Sequence, residues 1–135
     1  MGGEMAKAAT KAKQPEIQTI TLPELAKGET YAGILLQDGK PTHHLVLLPG
    51  ETTATWKDAV AWAKEQDGEL PTRKEQALLF ANAADQFKRE WYWSGEPFAG
   101  NDAYAWCQVF LDGDQYGGHK GYDCRARAVR RIPIQ

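Results

Sequence analysis

Several features that would assign a class of protein at once are scarce in this 135-residue chain. It has only two cysteines, too few for the disulfide framework that holds small secreted domains together. The formal net charge is −2, so nothing in the overall charge favours a nucleic acid or an anionic membrane surface. No apolar run approaches the roughly 18 residues of a membrane-spanning helix. These absences predict a globular chain with no nucleic-acid partner and no membrane insertion.

The first residues are rich in alanine, lysine and glycine and show no apolar periodicity. This composition predicts a flexible tail over residues 1–16, followed by a single domain over residues 17–135. The same segment lacks the apolar stretch of a secretory signal peptide. We therefore expect the chain to be cytoplasmic when it is made.

The next part of the chain predicts strands and a tight turn. Weak alternation over Ile17–Thr21 suggests a first edge strand. Two apolar runs, Thr30–Leu36 and Thr42–Leu48, flank the dipeptide Asp38-Gly39. Asp-Gly between such runs favours a β-hairpin, because both turn positions take positive φ.

Two helices are predicted after the hairpin. Thr55 caps the first helix, and Gly68 ends it. Thr72 caps the second, and Glu75 three residues later completes a capping box. The apolar face predicted for this second helix consists of Ala77, Leu78, Phe80 and Ala81.

The last third alternates aromatic residues with Gly, Asn and Asp, which is typical of short antiparallel strands joined by loops. Strands are predicted near Trp91–Ser94, Tyr104–Leu111 and Cys124–Ile132. The order of hairpin, two helices and a loop-rich antiparallel C-terminal sheet predicts the α+β class.

Four blocks of residues, in order along the chain, carry a resemblance to a known family. They are Trp56…Ala59…Ala63…Gly68-Glu69-Leu70-Pro71-Thr72-Arg73-Lys74-Glu75, then Tyr92-Trp93-Ser94, then Ala105-Trp106-x-Gln108-x-Phe110-x-x-Gly113-x-Gln115, then Arg125 to Arg131. In these blocks, over about Thr30 to Ile132, the chain resembles the Lcl C-terminal domain-like family. That family includes many phage and prophage proteins, and its fold looks like the C-type lectin fold.

The resemblance implies a rigid scaffold that presents a ligand surface, which in related lectin-fold proteins is sometimes diversified by retroelements. The scaffold positions it implies in the strand after Ala105 are Trp106, Gln108 and Phe110. Side chains alternate along a strand, so the intervening residues are expected on an exposed opposite face. With loop residues, the candidate ligand-binding set is Glu96, Phe98, Asn101, Asp102, Tyr104, Cys107, Val109, Leu111, Asp112, Asp114, Tyr116, His119, Tyr122 and Asp123.

Calcium-dependent lectins of this fold usually carry a Glu-Pro-Asn type triplet and a later Trp-Asn-Asp. Here Phe98 follows Glu96-Pro97, and Asn101-Asp102 follows a glycine. Calcium needs six to eight oxygen ligands, so we predict no obligatory metal and no cofactor. Cys107 and Cys124 leave three alternatives open: two free thiols, a disulfide, or a paired-thiol metal site.

Other conspicuous residues have structural interpretations. The rings of His43 and His44 are expected on opposite faces of a strand, one buried or at the edge and one exposed. The four C-terminal arginines, Arg125, Arg127, Arg130 and Arg131, are expected to cover apolar surface and pair with carboxylates. The five tryptophans are expected mostly in the core.

The function predicted is a non-enzymatic module that binds a protein or a glycan. The resemblance implies a phage or prophage origin, with receptor binding or a retroelement-diversified display surface as the role and association with the virion as a possible location. The alternative is a phage protein that binds and blocks a protein inside the host. No spacing around His119 indicates a nucleophilic triad.

Overall fold

The computed structural model describes residues 16–17 and 19–134. The predicted tail over residues 1–16 falls outside this range except for Glu16. The elements that position the candidate site are, in chain order, β1 (Thr30–Gln37), β2 (Lys40–Leu47), β3 (Thr52–Ala54), α1 (Trp56–Glu65), α2 (Arg73–Ala83), a 3₁₀ turn (Ala84–Gln86), β4 (Trp91–Pro97), β5 (Tyr104–Val109), β6 (Gln115–His119), β7 (Cys124–Ala126) and β8 (Val129–Pro133).

These strands form two sheets. The first sheet has the order β1-β2-β8, so the N-terminal hairpin pairs with the last strand of the chain. The second sheet has the order β3-β7-β4-β5-β6, in which β4 pairs antiparallel with β5 and parallel with β7. The predicted α+β class is confirmed.

The predicted hairpin is confirmed, and its turn chemistry explains it. Asp38 has φ +51° and Gly39 has φ +77°, so both central residues take the left-handed conformation. This geometry matches the twist of the flanking strands. The turn sets a register in which Gln37 faces Lys40 and Thr30 faces Leu47.

Helix α1 begins after Thr55 as predicted but ends one turn earlier than Gly68. Asp67 takes the left-handed conformation, with φ +59°, and the Gly68 N–H donates to the Ala63 carbonyl at 3.0 Å. Gly68 is needed for another reason. A Cβ there would lie 2.6 Å from both Leu48 Cδ1 and the Val129 carbonyl oxygen.

The capping box of helix α2 is confirmed. The Thr72 hydroxyl accepts from the Glu75 N–H at 3.1 Å, and the Glu75 carboxylate accepts from the Thr72 N–H at 2.8 Å. The predicted apolar face is only partly correct, because Leu78 and Phe80 pack against the core whereas Ala77 and Ala81 are exposed. The buried face of the helix instead consists of Glu75, Gln76, Leu79 and Ala83.

Two strand predictions are wrong: one rests on weak alternation, and the other treats two strands as one continuous run. Within the described part of Ile17–Thr21 there is no strand. The predicted strand Cys124–Ile132 is two strands in different sheets, β7 and β8. Strands β3 and β6 were not predicted.

The buried Glu75 carboxylate joins helix α2 to the first sheet. It accepts hydrogen bonds from His43 Nε2 at 2.7 Å and from Arg131 Nε at 2.7 Å. Burial alone would raise the pKa of Glu75, but the hydrogen bonds from Arg131, Thr72 and His43 lower it below its usual value. The charge is therefore kept in the core by its donors.

The histidine prediction is only partly correct. His44 is buried and lies 2.7 Å from the Tyr31 hydroxyl, as expected for one of the two rings. His43 is not exposed, because its ring packs against Glu75.

The predicted arginine pairing is confirmed for three residues. Arg125 pairs with Glu51, Arg130 with Glu29, and Arg131 with Glu69 and Glu75. Arg127 instead donates to the carbonyls of Gln86 and Leu48. Across the described residues, no helix is both long and apolar enough to cross a bilayer.

Candidate functional site

An exposed aromatic pair lies on the second sheet. Trp91 opens β4 and Tyr116 lies in β6, and their rings meet edge to face with centroids 5.5 Å apart. The sheet register explains this contact. Trp93 faces Cys107, and Cys107 faces Tyr116, so the three side chains lie on the same side of the sheet. Trp91 is two residues from Trp93 and therefore lies on that side as well. Trp91 is 36% exposed and Tyr116 is 55% exposed. We call the surface formed by Trp91 and Tyr116 the Trp91 face.

A cavity of about 280 Å³ opens beside this aromatic pair. It is lined by Trp91, Cys107, Tyr116, Gly117, Gly118 and Cys124. The absence of a side chain at Gly118 permits the close packing beneath it, because a Cβ there would lie 3.1 Å from Cys107 Sγ and 3.3 Å from the Trp93 ring. Aromatic rings and glycines thus form an apolar recess that an apolar side chain could enter.

Two residues expected to be exposed are buried. Cys107 is 3% exposed and Val109 is 9% exposed, although both alternate with Trp106 and Gln108 as predicted. The error has a topological cause. Strand β5 lies between β4 and β6, and this side of it is covered by the neighbouring side chains, so alternation does not imply exposure. Leu111, just beyond the strand, is exposed as expected.

The remaining aromatic candidates gather at the opposite end of the β5–β6 hairpin. Tyr104 pairs with His119 across the hairpin, with ring centroids 5.5 Å apart, and His119 is 5.2 Å from Tyr122. Phe98 lies 6.5 Å from Tyr104 on the β4–β5 loop. We call these four residues the His119 cluster. Asn101 and Asp102 are exposed on the same loop, where Asn101 Oδ1 accepts from the Ala103 N–H at 3.0 Å.

The candidate set is therefore divided between the two ends of one hairpin. Asp112, Asp114 and Tyr116 lie near the β5–β6 turn, whereas the His119 cluster lies at the far end. Asp123 is near the first group, since it lines a cavity with Trp91 and Cys124. The structure does not bring all fourteen candidates into one site.

Glu96 belongs to a separate polar groove of about 910 Å³. Its carboxylate accepts from the Arg73 N–H at 2.7 Å at the start of helix α2. The Arg73 guanidinium lies 3.5 Å above the Trp106 ring, and its Nε donates to Gln115 Oε1 at 2.9 Å. The groove is lined by Leu35, Gln37, Thr72, Arg73, Lys74, Ala77, Glu96, Gly113, Asp114 and Gln115.

Acidic side chains lie beside the Trp91 face. Asp112 and Asp114 are exposed in the turn that precedes Tyr116. The charge on Asp114, 3.3 Å from the phenol oxygen, is the largest cause that raises the pKa of Tyr116, and Asp112 adds to it. Glu90 and Asp123 line the adjoining cavity, where Arg125 is also present. A ligand with a cation beside an apolar group would complement this surface.

Both cysteines are free thiols and lie within the described residues. They share the cavity beneath the Trp91 face. Among residues 16–17 and 19–134, no group of three or more His, Cys, Asp or Glu side chains is placed to hold a metal ion.

Sequence reasoning missed Trp91, because tryptophans were assigned mostly to the core. Trp93 is fully buried, whereas Trp56, Trp62 and Trp106 are only half-buried and Trp91 is exposed. One sequence signal could have separated Trp91 from Trp93. Trp91 directly follows the charged run Lys88-Arg89-Glu90, which is typical of a strand end at the surface.

Comparison of the chain with protein-family models and with curated protein sequences finds no match.

Proposed function

We propose that the chain is a non-enzymatic binding module that holds a protein ligand at the Trp91 face. The observation that carries this proposal is the exposed edge-to-face pair of Trp91 and Tyr116 beside an apolar cavity. Tryptophan and tyrosine dominate the energetics of protein interfaces, since they bury a large rigid surface at a small entropic cost. On a rigid sheet, this pair is already held in place for binding.

The surroundings of the pair indicate the chemistry of the ligand. The cavity of about 280 Å³ has room for one apolar or aromatic side chain. Asp112 and Asp114 flank Tyr116, and Glu90 and Asp123 lie on the side of Trp91. We therefore expect an apolar anchor residue with lysine or arginine next to it. Complementary charge of this kind speeds association and selects against other partners.

The resemblance to the Lcl C-terminal domain-like family supports a binding role, and the proposal includes a C-type lectin-like fold. Part of the arrangement that the resemblance implies has a counterpart here. Helix α2 packs against the small sheet that joins the hairpin to the last strand, whereas helix α1 packs mainly against the second sheet, which carries the Trp91 face.

A phage or prophage origin is part of the same proposal and leaves two settings for a protein ligand. In the first, the chain is part of the virion and binds a receptor, with or without diversification of its surface. In the second, it binds and blocks a protein inside the host. Mass spectrometry of purified particles distinguishes the two settings, because only the first places the chain in the virion.

A displayed library of random peptides tests the protein-binding proposal. Immobilised wild-type chain should enrich peptides that combine an aromatic or aliphatic residue with lysine or arginine. Tyr116→Ala should weaken binding of the selected peptides about tenfold or more, as expected for an interface hot spot. The matched control is Tyr122→Ala, since Tyr122 is 70% exposed and belongs to the other end of the hairpin. Equal affinities for wild type and Tyr116→Ala would show that the Trp91 face is not the site.

The polar groove favours a second candidate function, the binding of a glycan. It presents carboxylates at Glu96 and Asp114 and the amide of Gln37, groups that hydrogen-bond sugar hydroxyls. A glycan array with wild type and Gln37→Ala tests this alternative. Loss of a glycan signal in Gln37→Ala, with retention in Tyr116→Ala, would place a glycan in the groove instead of a protein at the Trp91 face.

A further inference from the structure

Strand β6 forms one edge of the second sheet. The order β3-β7-β4-β5-β6 leaves it paired with β5 on one side, and no other strand of the described residues borders it. An edge strand presents backbone N–H and C=O groups that can pair with a further strand. Strand β6 contains no proline, and its pairing with β5 runs without a bulge. Its outer edge is therefore suited to pairing.

The other edges of the two sheets, at β1, β8 and β3, are protected. The register of β1 shifts at two places, and the Asn82 side chain donates to its Ala32 carbonyl at 2.7 Å. In β8, Val129 exchanges both backbone hydrogen bonds with Glu69, and the strand ends at Pro133. Strand β3 has only three residues. Irregular register, cover, proline and short length all hinder edge pairing, so β6 is the edge that remains open.

The hydrogen bonds at the two ends of the β5–β6 hairpin show which backbone groups point outward. The Val109 N–H donates to the Asp114 carbonyl at 2.9 Å, and the Lys120 N–H donates to the Ala103 carbonyl at 2.8 Å. Bonded pairs alternate with unbonded pairs along an antiparallel ladder, so every second residue of β6 bonds to β5. The residues whose backbone groups point away from β5 are Gln115, Gly117 and His119.

The sequence around Gly117 is complementary to itself when two copies run antiparallel. If Gly117 pairs with Gly117 of a second copy, Gln115 lies opposite His119, and the outward backbone groups of both copies meet. Tyr116, which is 55% exposed, then lies opposite Gly118 of the second copy. The missing side chain at Gly118 leaves room for the Tyr116 ring, and an aromatic residue that covers an edge glycine stabilises strand pairing.

The charges at the two ends of β6 favour the same arrangement. Asp112 and Asp114 are exposed in the turn before the strand, whereas His119 and Lys120 lie at its other end. Antiparallel pairing places the acidic end of one copy beside the basic end of the other, and opposite charges across a strand pair are favourable. Parallel pairing would instead bring the two acidic ends together.

We propose that two copies of the chain join along β6 as an antiparallel pair, which extends the second sheet across both copies. Each copy contributes the same strand, so the interface has two-fold symmetry. The Trp91 faces of the two copies lie on the same side of the joined sheet. Because β6 has only five residues, we expect a dimer in exchange with the monomer. This inference does not depend on which ligand the Trp91 face holds.

Sedimentation velocity and NMR on the full chain test the dimer. Wild type should change from monomer to dimer as its concentration rises from about 1 μM to about 1 mM. In the dimer, the amide protons of Gln115 and Gly117 should exchange with solvent at least about tenfold more slowly than in the monomer, because they bond to the second copy. A mixture of isotope-labelled and unlabelled chain should show contacts between the Tyr116 ring of one copy and Gly118 of the other.

A charge reversal with a matched control tests the direction of the pairing. Asp114→Lys should raise the dissociation constant of the dimer at least about tenfold, because two-fold symmetry places like charges together at both ends of the interface. Glu65→Lys makes the same change of charge on an exposed residue of helix α1, which packs against β3, β4 and β7. This control should leave the dissociation constant unchanged.

Two results would overturn the proposal, and both come from wild type, so they hold whether or not a variant folds. One is a chain that stays monomeric at about 1 mM, which would leave the β6 edge to a strand from a different protein. The other is a dimer in which the Gln115 and Gly117 amides exchange as fast as in the monomer. That result would place the interface on another surface.

Discussion

Trp91 and Trp93 lie on the same face of strand β4, two residues apart, and their surroundings are opposite. Trp93 is 0% exposed, belongs to a core cluster with Ala59, Ala63 and Leu70, and donates from Nε1 to the Ala54 carbonyl at 2.9 Å. Trp91 is 36% exposed and contacts the exposed ring of Tyr116.

The difference shows where the scaffold ends and the candidate surface begins. Helix α1 and the segment around Leu70 cover the part of the sheet that holds Trp93, and the cover does not extend over Trp91. The same residue type on the same strand face therefore has two roles. Trp93 stabilises the fold, and Trp91 is left available for a ligand.

Replacement of each tryptophan by alanine should separate these roles most clearly. Trp93→Ala removes a buried ring and its hydrogen bond, and we expect a loss of about 3–5 kcal/mol in the free energy of unfolding. Trp91→Ala should cost about 1 kcal/mol or less, because its ring is partly solvated already. Urea unfolding followed by circular dichroism measures both. Similar losses for the two variants would end the distinction between core and surface tryptophan.

Two carboxylates that bind the same arginine offer a similar comparison between a buried and an exposed group. Arg131 binds the buried Glu75 and the exposed Glu69. We expect Glu75→Gln to cost about 3 kcal/mol, because it removes the buried charge that the partly buried Arg131 and His43 side chains bind. The matched control, Glu69→Gln, should change stability by less than about 0.5 kcal/mol. Chemical denaturation at neutral pH decides the matter, and an equally large loss in the control would locate the important charge at the surface instead.

Lowering the pH should test the contribution of Glu75 again, with a smaller effect on the free energy of unfolding. The folded pKa of Glu75 is lowered, so the carboxylate contributes stability above its unfolded pKa of about 4.3, and this contribution is lost as the pH falls through the folded pKa. The free energy of unfolding should therefore fall between about pH 5 and pH 2. Glu75→Gln should show a weaker fall over that range, and parallel curves for the two proteins would remove Glu75 as a cause.

Local chemistry explains which parts of the fold were predictable. The Asp38-Gly39 turn and the Thr72–Glu75 capping box depend on residues within four positions of each other, and both are confirmed. The buried face of helix α2 was not predicted, since Glu75 and Gln76 look like surface residues in sequence. Their burial depends on partners far along the chain, such as Arg131 and the Tyr92 carbonyl.

The candidate site was predictable in part for the same reason. Exposure of Asp114 and Tyr116 followed from a Gly- and Asp-rich context, and it is confirmed. Burial of Cys107 and Val109 depends on the order of strands in the sheet, which alternation along one strand does not reveal. That Cys107 and Cys124 line one cavity likewise requires the pairing of β4 with both β5 and β7.

The smallest expected effect concerns only the exposed Trp91 face. The charge on Asp114 is the first cause that raises the pKa of Tyr116. Asp114→Asn should lower that pKa toward its ordinary value of about 10 without a change in fold. Alkaline titration of the Tyr116 ring carbon by NMR measures the shift, and Tyr122 in the same spectrum is the control. An unchanged Tyr116 titration would mean that Asp114 faces away from the ring in solution, and the negative rim that we assign to the Trp91 face would then lack its nearest charge.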